Sequence, residues 1–134
     1  MRLVDASVWV AIADPFDKYH EPAHALVADV ERPLAALDLT LYEVANALGA
    51  KKGRPDEGRT LTKLIVRRCR EGVLAVDSDL IESALEIAAE HGLTAYDAAY
   101  VAAARRHDWT LISADIADLV SKGLAVAPDA ANYP

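Results

Sequence analysis

The sequence predicts an α/β fold: a three-layer α/β/α sandwich with a central, mainly parallel sheet, built by a single domain over residues 1–134. Short apolar runs such as "LAAL" (34–37) and "VLAV" (73–76) alternate with longer segments of helical periodicity. Strands joined through helices in this way form a parallel sheet that is covered on both faces. No internal repeat or low-complexity linker interrupts the alternation, and 134 residues suffice for one core.

The first half of the chain contains two predicted strands. "RLVDAS" (2–7) begins as a strand, and "VWVAIA" (8–13) either continues it or opens a helix. A helical pattern runs from Pro22 to about Arg32, where Pro33 stops it. "LAAL" is the second strand, and a helix follows from about Thr40 to Ala50.

The second half begins where Gly53-Arg54-Pro55 breaks the chain. The pattern then predicts helices at about 56–71, 78–90 and 93–106. "VLAV" separates the first two of these helices, and "WTLIS" (109–113) is a strand after the third. A short helix at 114–122 and a last strand, "LAV" (124–126), complete the order.

Charge is distributed unevenly along the chain. The formal net charge of −7 argues against a nucleic-acid partner, because phosphate binding needs a positive surface. Residues 51–70, however, hold eight of the fourteen Lys and Arg against two acids, a net charge of +6 that leaves −13 elsewhere. This basic segment is either a solvated helix face or an RNA-backbone surface formed by Lys51, Lys52, Arg67 and Arg68.

Other features favour a reducing, cytoplasmic setting without a membrane partner. The single cysteine, Cys69, permits no internal disulfide and is interpreted as a core residue. An acid at position 5 is unlike a secretory signal, and the longest uninterrupted apolar run, 98–104, is too short to span a bilayer.

Four acids occupy comparable places beside the predicted strands: Asp5, Glu43, Asp97 and Asp115. Because ligand sites in parallel α/β sheets form beyond the carboxyl ends of the strands, we expect these acids to meet at one edge. Two carboxylates about 4 Å apart repel by roughly 4 kcal/mol at an effective dielectric constant of 20, and a divalent cation relieves that repulsion. An all-oxygen site favours Mg²⁺ or Mn²⁺ over zinc.

Each acid also has a purely structural explanation. Two of the four complete a T-x-x-[DE] capping-box pattern, and the other two can cap the helix that follows them. For any one acid, capping is the simpler interpretation. The four together favour a metal site.

Several neighbouring residues are candidate supporting groups. Ser7 and Ser113 can donate hydrogen bonds to a carboxylate or cap a helix, and Asp118 can join the acids or face solvent. Tyr96 and Tyr100 can stack on bases, but packing in the core is the simpler expectation for both.

The stretch "HEPAH" (20–24) matches the H-E-x-x-H zinc-protease pattern, which requires both histidines on one face of a helix. Pro22 is expected at the first position of its helix, so that His20 would lie outside the helix and away from His24. The sequence therefore predicts surface histidines here rather than a zinc site.

Four stretches resemble the PIN-domain proteins, and most closely the VapC-type toxins of prokaryotic toxin–antitoxin pairs: "LVDASVWVA", "LYEVANAL", "LTAYDAAYVAAA" and "TLISAD". The pieces D-A-S and Y-D-A-A-Y are the most specific. The resemblance covers nearly the whole chain, although the basic middle region carries no motif of the family.

This resemblance implies a Mg²⁺- or Mn²⁺-dependent endoribonuclease that hydrolyses RNA with metal-activated water, as the toxin of a type II toxin–antitoxin system. It also implies a homodimer and a VapB-type antitoxin partner. By position, Asp5 and Asp97 would be the principal metal ligands. Glu43 and Asp115 would complete the catalytic pocket, Ser7 would orient it, and Asp118 is the alternative fourth acid.

Two other functions are compatible with these residues. One is a non-catalytic PIN-like interaction module whose acids cap helices. The other is a metal-dependent nuclease or phosphodiesterase that acts on DNA, because carboxylates select the cation and not the leaving group.

Overall fold

A computed structural model describes residues 1–131, and its four strands form one parallel sheet. The strands are β1 (Arg2–Val4), β2 (Leu34–Leu37), β3 (Val73–Leu74) and β4 (Thr110–Ile112), in the spatial order β3-β2-β1-β4. Leu3 lies opposite Ala35 on one side and Leu111 on the other. The chain winds from β1 towards β3 and then crosses to β4 on the opposite side, so that a crevice for a ligand is expected beside the carboxyl end of β1.

Residues 1–131 form seven α-helices: α1 (Ala6–Ala13), α2 (His20–Ala28), α3 (Asp38–Val44), α4 (Pro55–Cys69), α5 (Ser78–His91), α6 (Ala95–His107) and α7 (Pro128–Ala131). Two π-helical segments, Ala45–Lys51 and Ile116–Val120, and a 3₁₀ turn, Arg70–Gly72, complete the secondary structure. None of the helices in this described part of the chain has the length and apolarity needed to cross a membrane.

The sheet separates two apolar cores. Leu3, Ala35 and Leu37 point towards α5 and α6 on one face. Val4 and Ala36 point to the other face, against α1, α2 and α4. Successive strand residues therefore serve opposite cores, as expected of a sheet covered on both sides. This arrangement confirms the predicted three-layer α/β/α fold with a parallel sheet.

Helix boundaries follow local sequence signals. The Asp77 carboxylate accepts a hydrogen bond from the Leu80 amide at 2.8 Å and so caps α5. Gly92 ends the same helix in the left-handed conformation, with φ of +67°. Pro55 occupies the first turn of α4, where its missing N–H has no helical partner to lose.

Of the two alternatives for "VWVAIA", the helix is confirmed: the stretch belongs to α1, which Asp5 caps. Several other predicted boundaries were wrong for identifiable reasons. The third helix begins at Asp38 rather than Thr40, and the Thr40 hydroxyl accepts a hydrogen bond from the Leu37 amide. β3 stops at Leu74, and the Val76 amide bonds to the Asp38 carboxylate instead of a strand. The predicted strand 124–126 contributes one bridge, between Val126 and Ile112.

Candidate active site

Asp5 stands at the carboxyl end of β1 and caps α1. Its Oδ1 accepts hydrogen bonds from the Ser7 amide at 3.1 Å and from the Ser7 hydroxyl at 2.5 Å. The residue is buried, and this burial raises the pKa of the carboxyl to about 7 against opposing hydrogen bonds from Ser113, Ser7 and Val8; the charge of Asp97 raises it further. The capping role and the position at the sheet edge therefore coexist.

Two serines connect the ends of β1 and β4. The Ser7 hydroxyl accepts a hydrogen bond from the Ala114 amide at 2.9 Å and lies 3.4 Å from the Ser113 hydroxyl. Ser113 is fully buried, and its oxygen accepts from the Asp115 amide at 3.0 Å. These contacts connect the backbone next to Asp5 with the backbone next to Asp115.

Asp97 is the third residue of α6, and its amide donates to the Thr94 hydroxyl that caps this helix, at 3.1 Å. The sequence placed Asp97 beside a strand, but it follows the turn between α5 and α6. Carboxylate oxygens of Asp97, Asp115 and Asp118 all lie within 4.8 Å of one another. Burial raises the pKa of Asp97, and the charges of Asp115 and Asp118 raise it further.

Asp115 positions its neighbour in this cluster. Its side chain caps the π-helical segment Ile116–Val120 by accepting from the Asp118 amide at 3.0 Å. That turn brings Asp118 onto the same side as Asp97. From the sequence, Asp115 and Asp118 were alternatives for the fourth acid of the site, and the structure places both beside Asp97.

Glu43 approaches from the other side, on α3. Its Oε1 accepts a hydrogen bond from the Tyr100 hydroxyl at 2.7 Å, and that hydroxyl also lies 2.8 Å from the Thr40 hydroxyl. Burial raises the pKa of Glu43, the Tyr100 hydrogen bond lowers it, and the charge of Asp97 raises it. The expected capping box between Thr40 and Glu43 is absent because α3 starts two residues before Thr40.

Asp97 is thus the electrostatic centre of the site. Its charge acts on Asp5 and on Glu43, while Asp115 and Asp118 act on Asp97. Asp97, Asp115 and Asp118 are, within residues 1–131, the one group of three or more possible ligand side chains whose donor atoms converge. Clustered carboxylate oxygens, with Asp97 raised in pKa by its two neighbours, suit a hard divalent cation such as Mg²⁺ or Mn²⁺.

The two histidines of "HEPAH" lie closer together than the sequence indicated. α2 begins at His20, not at Pro22, and the His20 and His24 ring centroids are 4.6 Å apart. The expected separation of the rings was therefore wrong. His20 Nδ1 lies 2.9 Å from the Ala11 carbonyl oxygen, a contact that ties α2 to α1.

The four basic residues of the predicted RNA surface have different environments. Lys51 lines a cavity together with Glu43, and Lys52 is exposed next to it. The Arg68 guanidinium donates to the backbone carbonyl oxygens of Val27, Asp29 and Arg32, which ties α4 to the segment after α2. Arg67 is exposed on α4. An RNA-binding role for these residues stays a prediction.

The tyrosines divide into buried and exposed groups. Tyr100 is 1% exposed, as expected of a core residue with a satisfied hydroxyl. Tyr96 was also expected in the core, but 60% of it is exposed. Tyr42, which the sequence did not single out, is 81% exposed. The sequence held one signal for the exposure of Tyr42: it does not share the apolar helix face formed by Leu41, Val44 and Leu48.

The chain is similar in sequence to known proteins. The family model described as "PIN domain" matches residues 2–118. The chain is 33% identical over 117 residues to Ribonuclease VapC3 of Pyrobaculum aerophilum, covering 84% of this chain and 88% of that protein. It is 32% identical over 115 residues to Exonuclease VapC9 of the same organism, covering 84% and 79% of the two chains.

A solved structure shows the same fold at lower identity. A chain in a toxin–antitoxin complex from Klebsiella pneumoniae superposes with a TM-score of 0.69 at 19% identity. The match covers 96% of this chain and 98% of the other.

Proposed function

Because the chain belongs to the PIN domain family, we propose that it is a metal-dependent endoribonuclease that serves as the toxin of a toxin–antitoxin pair. The observation that carries the proposal is the convergence of Asp97, Asp115 and Asp118, with Asp5 and Glu43 in electrostatic reach of Asp97. A relative of 33% identity is named a ribonuclease, which supports RNA as the substrate.

The residues fit a divalent cation. Asp97, Asp115 and Asp118 offer oxygen donors within 4.8 Å of one another, and Asp5 offers a buried carboxylate whose pKa is raised to about 7 by that burial. We propose that Asp5 and Asp97 are the principal ligands and that Glu43 and Asp115 complete the pocket. When bound, Mg²⁺ or Mn²⁺ supplies Lewis-acid chemistry by offsetting charge on a phosphate and favouring attack by water.

The chain's own residues keep the acids in place. Ser7 holds the Asp5 carboxylate through both its amide and its hydroxyl and so fixes the orientation of that side chain. Tyr100 does the same for Glu43 through a buried hydroxyl. Supporting hydrogen bonds of this kind orient ligands, and their loss typically costs 10–100-fold in metal affinity or activity.

RNA and DNA are distinguished by a substrate panel. The parent protein is incubated with a circular single-stranded RNA, a linear RNA and a single-stranded DNA of matching sequence, each with Mg²⁺ or Mn²⁺. We expect the circular RNA to be cut, because an endonuclease needs no chain end. Cleavage of linear RNA alone would assign an exonuclease, the activity named for the second relative. Cleavage of DNA alone would contradict the proposal.

We further propose a VapB-type antitoxin as the protein partner and a homodimer as the assembly, both within the cytoplasm. The similar fold in a toxin–antitoxin complex supports the first of these. Light scattering of the purified chain, alone and with co-expressed antitoxin, tests both. A mass equal to one chain would contradict the dimer.

A further inference from the structure

Two exposed aromatic rings border the acidic site. Tyr42 on α3 and Tyr96 on α6 both line one cavity of about 600 Å³, which is within the range of about 300–1,000 Å³ typical of ligand sites. Both rings are largely exposed, at 81% and 60%. Exposed tyrosines on different elements around one cavity place apolar area where a ligand can cover it.

The cavity adjoins the acidic site. Of the five acids, Glu43 lines it directly; Ser7, which also lines it, holds Asp5, and Tyr96 immediately precedes Asp97 in α6. An RNA whose phosphate contacts the acids can therefore place a neighbouring nucleotide in this cavity.

The remaining lining residues offer polar contacts to a nucleotide. Lys51 adds one positive charge beside an otherwise acidic site, where it can contact a phosphate. The exposed Asn46 carboxamide offers both donors and an acceptor, the combination that reads the edge of an unpaired base. Aromatic rings, a lysine and an amide together match the chemistry of single-stranded RNA recognition.

We propose that Tyr42 and Tyr96 form a stacking site for an unpaired base next to the cleaved bond of the RNA. The inference rests on the proposed endoribonuclease function and adds the two side chains that hold the substrate base, which must be unpaired to stack on them. Tyr42 and Tyr96 are specificity-determining residues and take no part in the chemistry.

Binding is measured by fluorescence anisotropy with a labelled, mixed-sequence single-stranded RNA of about 12 nucleotides in Mg²⁺. Every protein carries Asp97→Asn so that the RNA is not cut. We expect Tyr42→Ala and Tyr96→Ala each to weaken binding about tenfold, which corresponds to about 1.4 kcal/mol. Tyr→Phe at each position keeps the ring and the affinity. Phe16→Ala, a substitution of a ring that is 97% exposed in the turn between α1 and α2, leaves binding unchanged.

A second probe isolates the base. An abasic chain of the same length retains the phosphates, so that its weaker binding should not respond to either alanine substitution. With Asp97 intact, both alanine variants should raise KM for the single-stranded RNA and leave kcat unchanged.

The outcomes separate this inference from the function on which it rests. RNA affinity that is unchanged in both alanine variants, in a protein whose parent cuts RNA, overturns the stacking site alone and assigns the cavity to a protein segment. Equal losses for Phe and Ala, or for intact and abasic RNA, also overturn it. A parent that binds RNA through the tyrosines but cuts none with any cation overturns the endoribonuclease instead.

Discussion

Replacing Asp97 by Asn should stabilise the metal-free protein while it removes activity. Asn has nearly the same shape, and the capping bond at this position uses the Asp97 amide and the Thr94 hydroxyl, so that α6 keeps its first turn. The substitution removes one negative charge from a cluster whose oxygens lie within 4.8 Å of one another. The effect on the free energy of unfolding is therefore mainly electrostatic.

The magnitude follows from Coulomb's law. Two unit charges at 4.8 Å repel by about 3.5 kcal/mol at an effective dielectric constant of 20 and by about 0.9 kcal/mol in water. Asp97 faces two such neighbours, of which Asp118 is exposed and strongly screened. We expect a net gain of about 1–3 kcal/mol, or about 3–10 °C in Tm for a chain of this size.

Thermal unfolding at a pH near 8, in EDTA and then in excess Mg²⁺ or Mn²⁺, measures this effect. Glu31→Gln removes one charge from an exposed residue after α2 and serves as the matched control. In EDTA the Asp97→Asn variant should melt above both the parent and the control. Added cation should raise the Tm of the parent and control more than that of the variant, because binding to the native state stabilises it.

Two results would refute this reasoning. One is an Asp97→Asn protein that in EDTA melts at or below the parent, which would mean that the acids do not repel one another. The other is an equal rise in Tm for parent and variant on adding cation, which would mean that Asp97 does not contribute to binding.

Three further predictions concern the site and the core. In EDTA the free energy of unfolding should fall as pH rises from about 4 to 7, because native Asp5 has a pKa of about 7 against 3.8 and keeps a proton that the unfolded chain has lost. In urea titrations at several pH values, the Asp5→Asn variant should show a flatter dependence of this free energy on pH. An equally steep dependence in the variant would contradict the prediction. Tyr100→Phe should lower the free energy of unfolding by about 1–2 kcal/mol and cleavage about tenfold, since Glu43 loses its donor, and unchanged kinetics would remove Tyr100 from the site. Gly72→Ala should lower the free energy of unfolding by about 1–3 kcal/mol, because the new Cβ would lie 2.6 Å from the Leu34 carbonyl oxygen. Gly58→Ala in α4 is the control: its Cβ would have its nearest neighbour at 3.6 Å, so that the same chemical denaturation should show a neutral or stabilising effect.

Most of the fold was predictable because each signal is local. Helices α4, α5 and α6 were located within a few residues because their ends are set by Pro55, Gly92 and Thr94 and, as the structure shows, by Asp77, each of which acts on the adjoining turn alone. The boundaries that failed depend on distant partners. β3 is short because the Val76 amide bonds to Asp38, which is 38 residues away in the sequence.

The site was predictable in its acids and not in their arrangement. The alternation of strands and helices placed Asp5 and Asp115 at one edge of the sheet, and capping chemistry explained them equally well. The short helix predicted at 114–122 has a π-helical segment, and this form of the turn, which brings Asp118 to Asp97, was not predicted from the sequence. The exposure of Tyr42 and Tyr96 depends on how α3 and α6 meet around the cavity, which periodicity within either helix does not encode.

Metal-dependent cleavage tests the central claim, that the acids around Asp97 hold a cation required for RNA hydrolysis. A structured RNA is incubated with the parent, with Asp97→Asn and with Glu31→Gln, each in Mg²⁺ or Mn²⁺ and in excess EDTA. We predict internal cleavage by the parent and by Glu31→Gln with the cation, and none in EDTA or by Asp97→Asn. Cleavage that persists in EDTA, or an Asp97→Asn protein as active as the parent, would contradict the account.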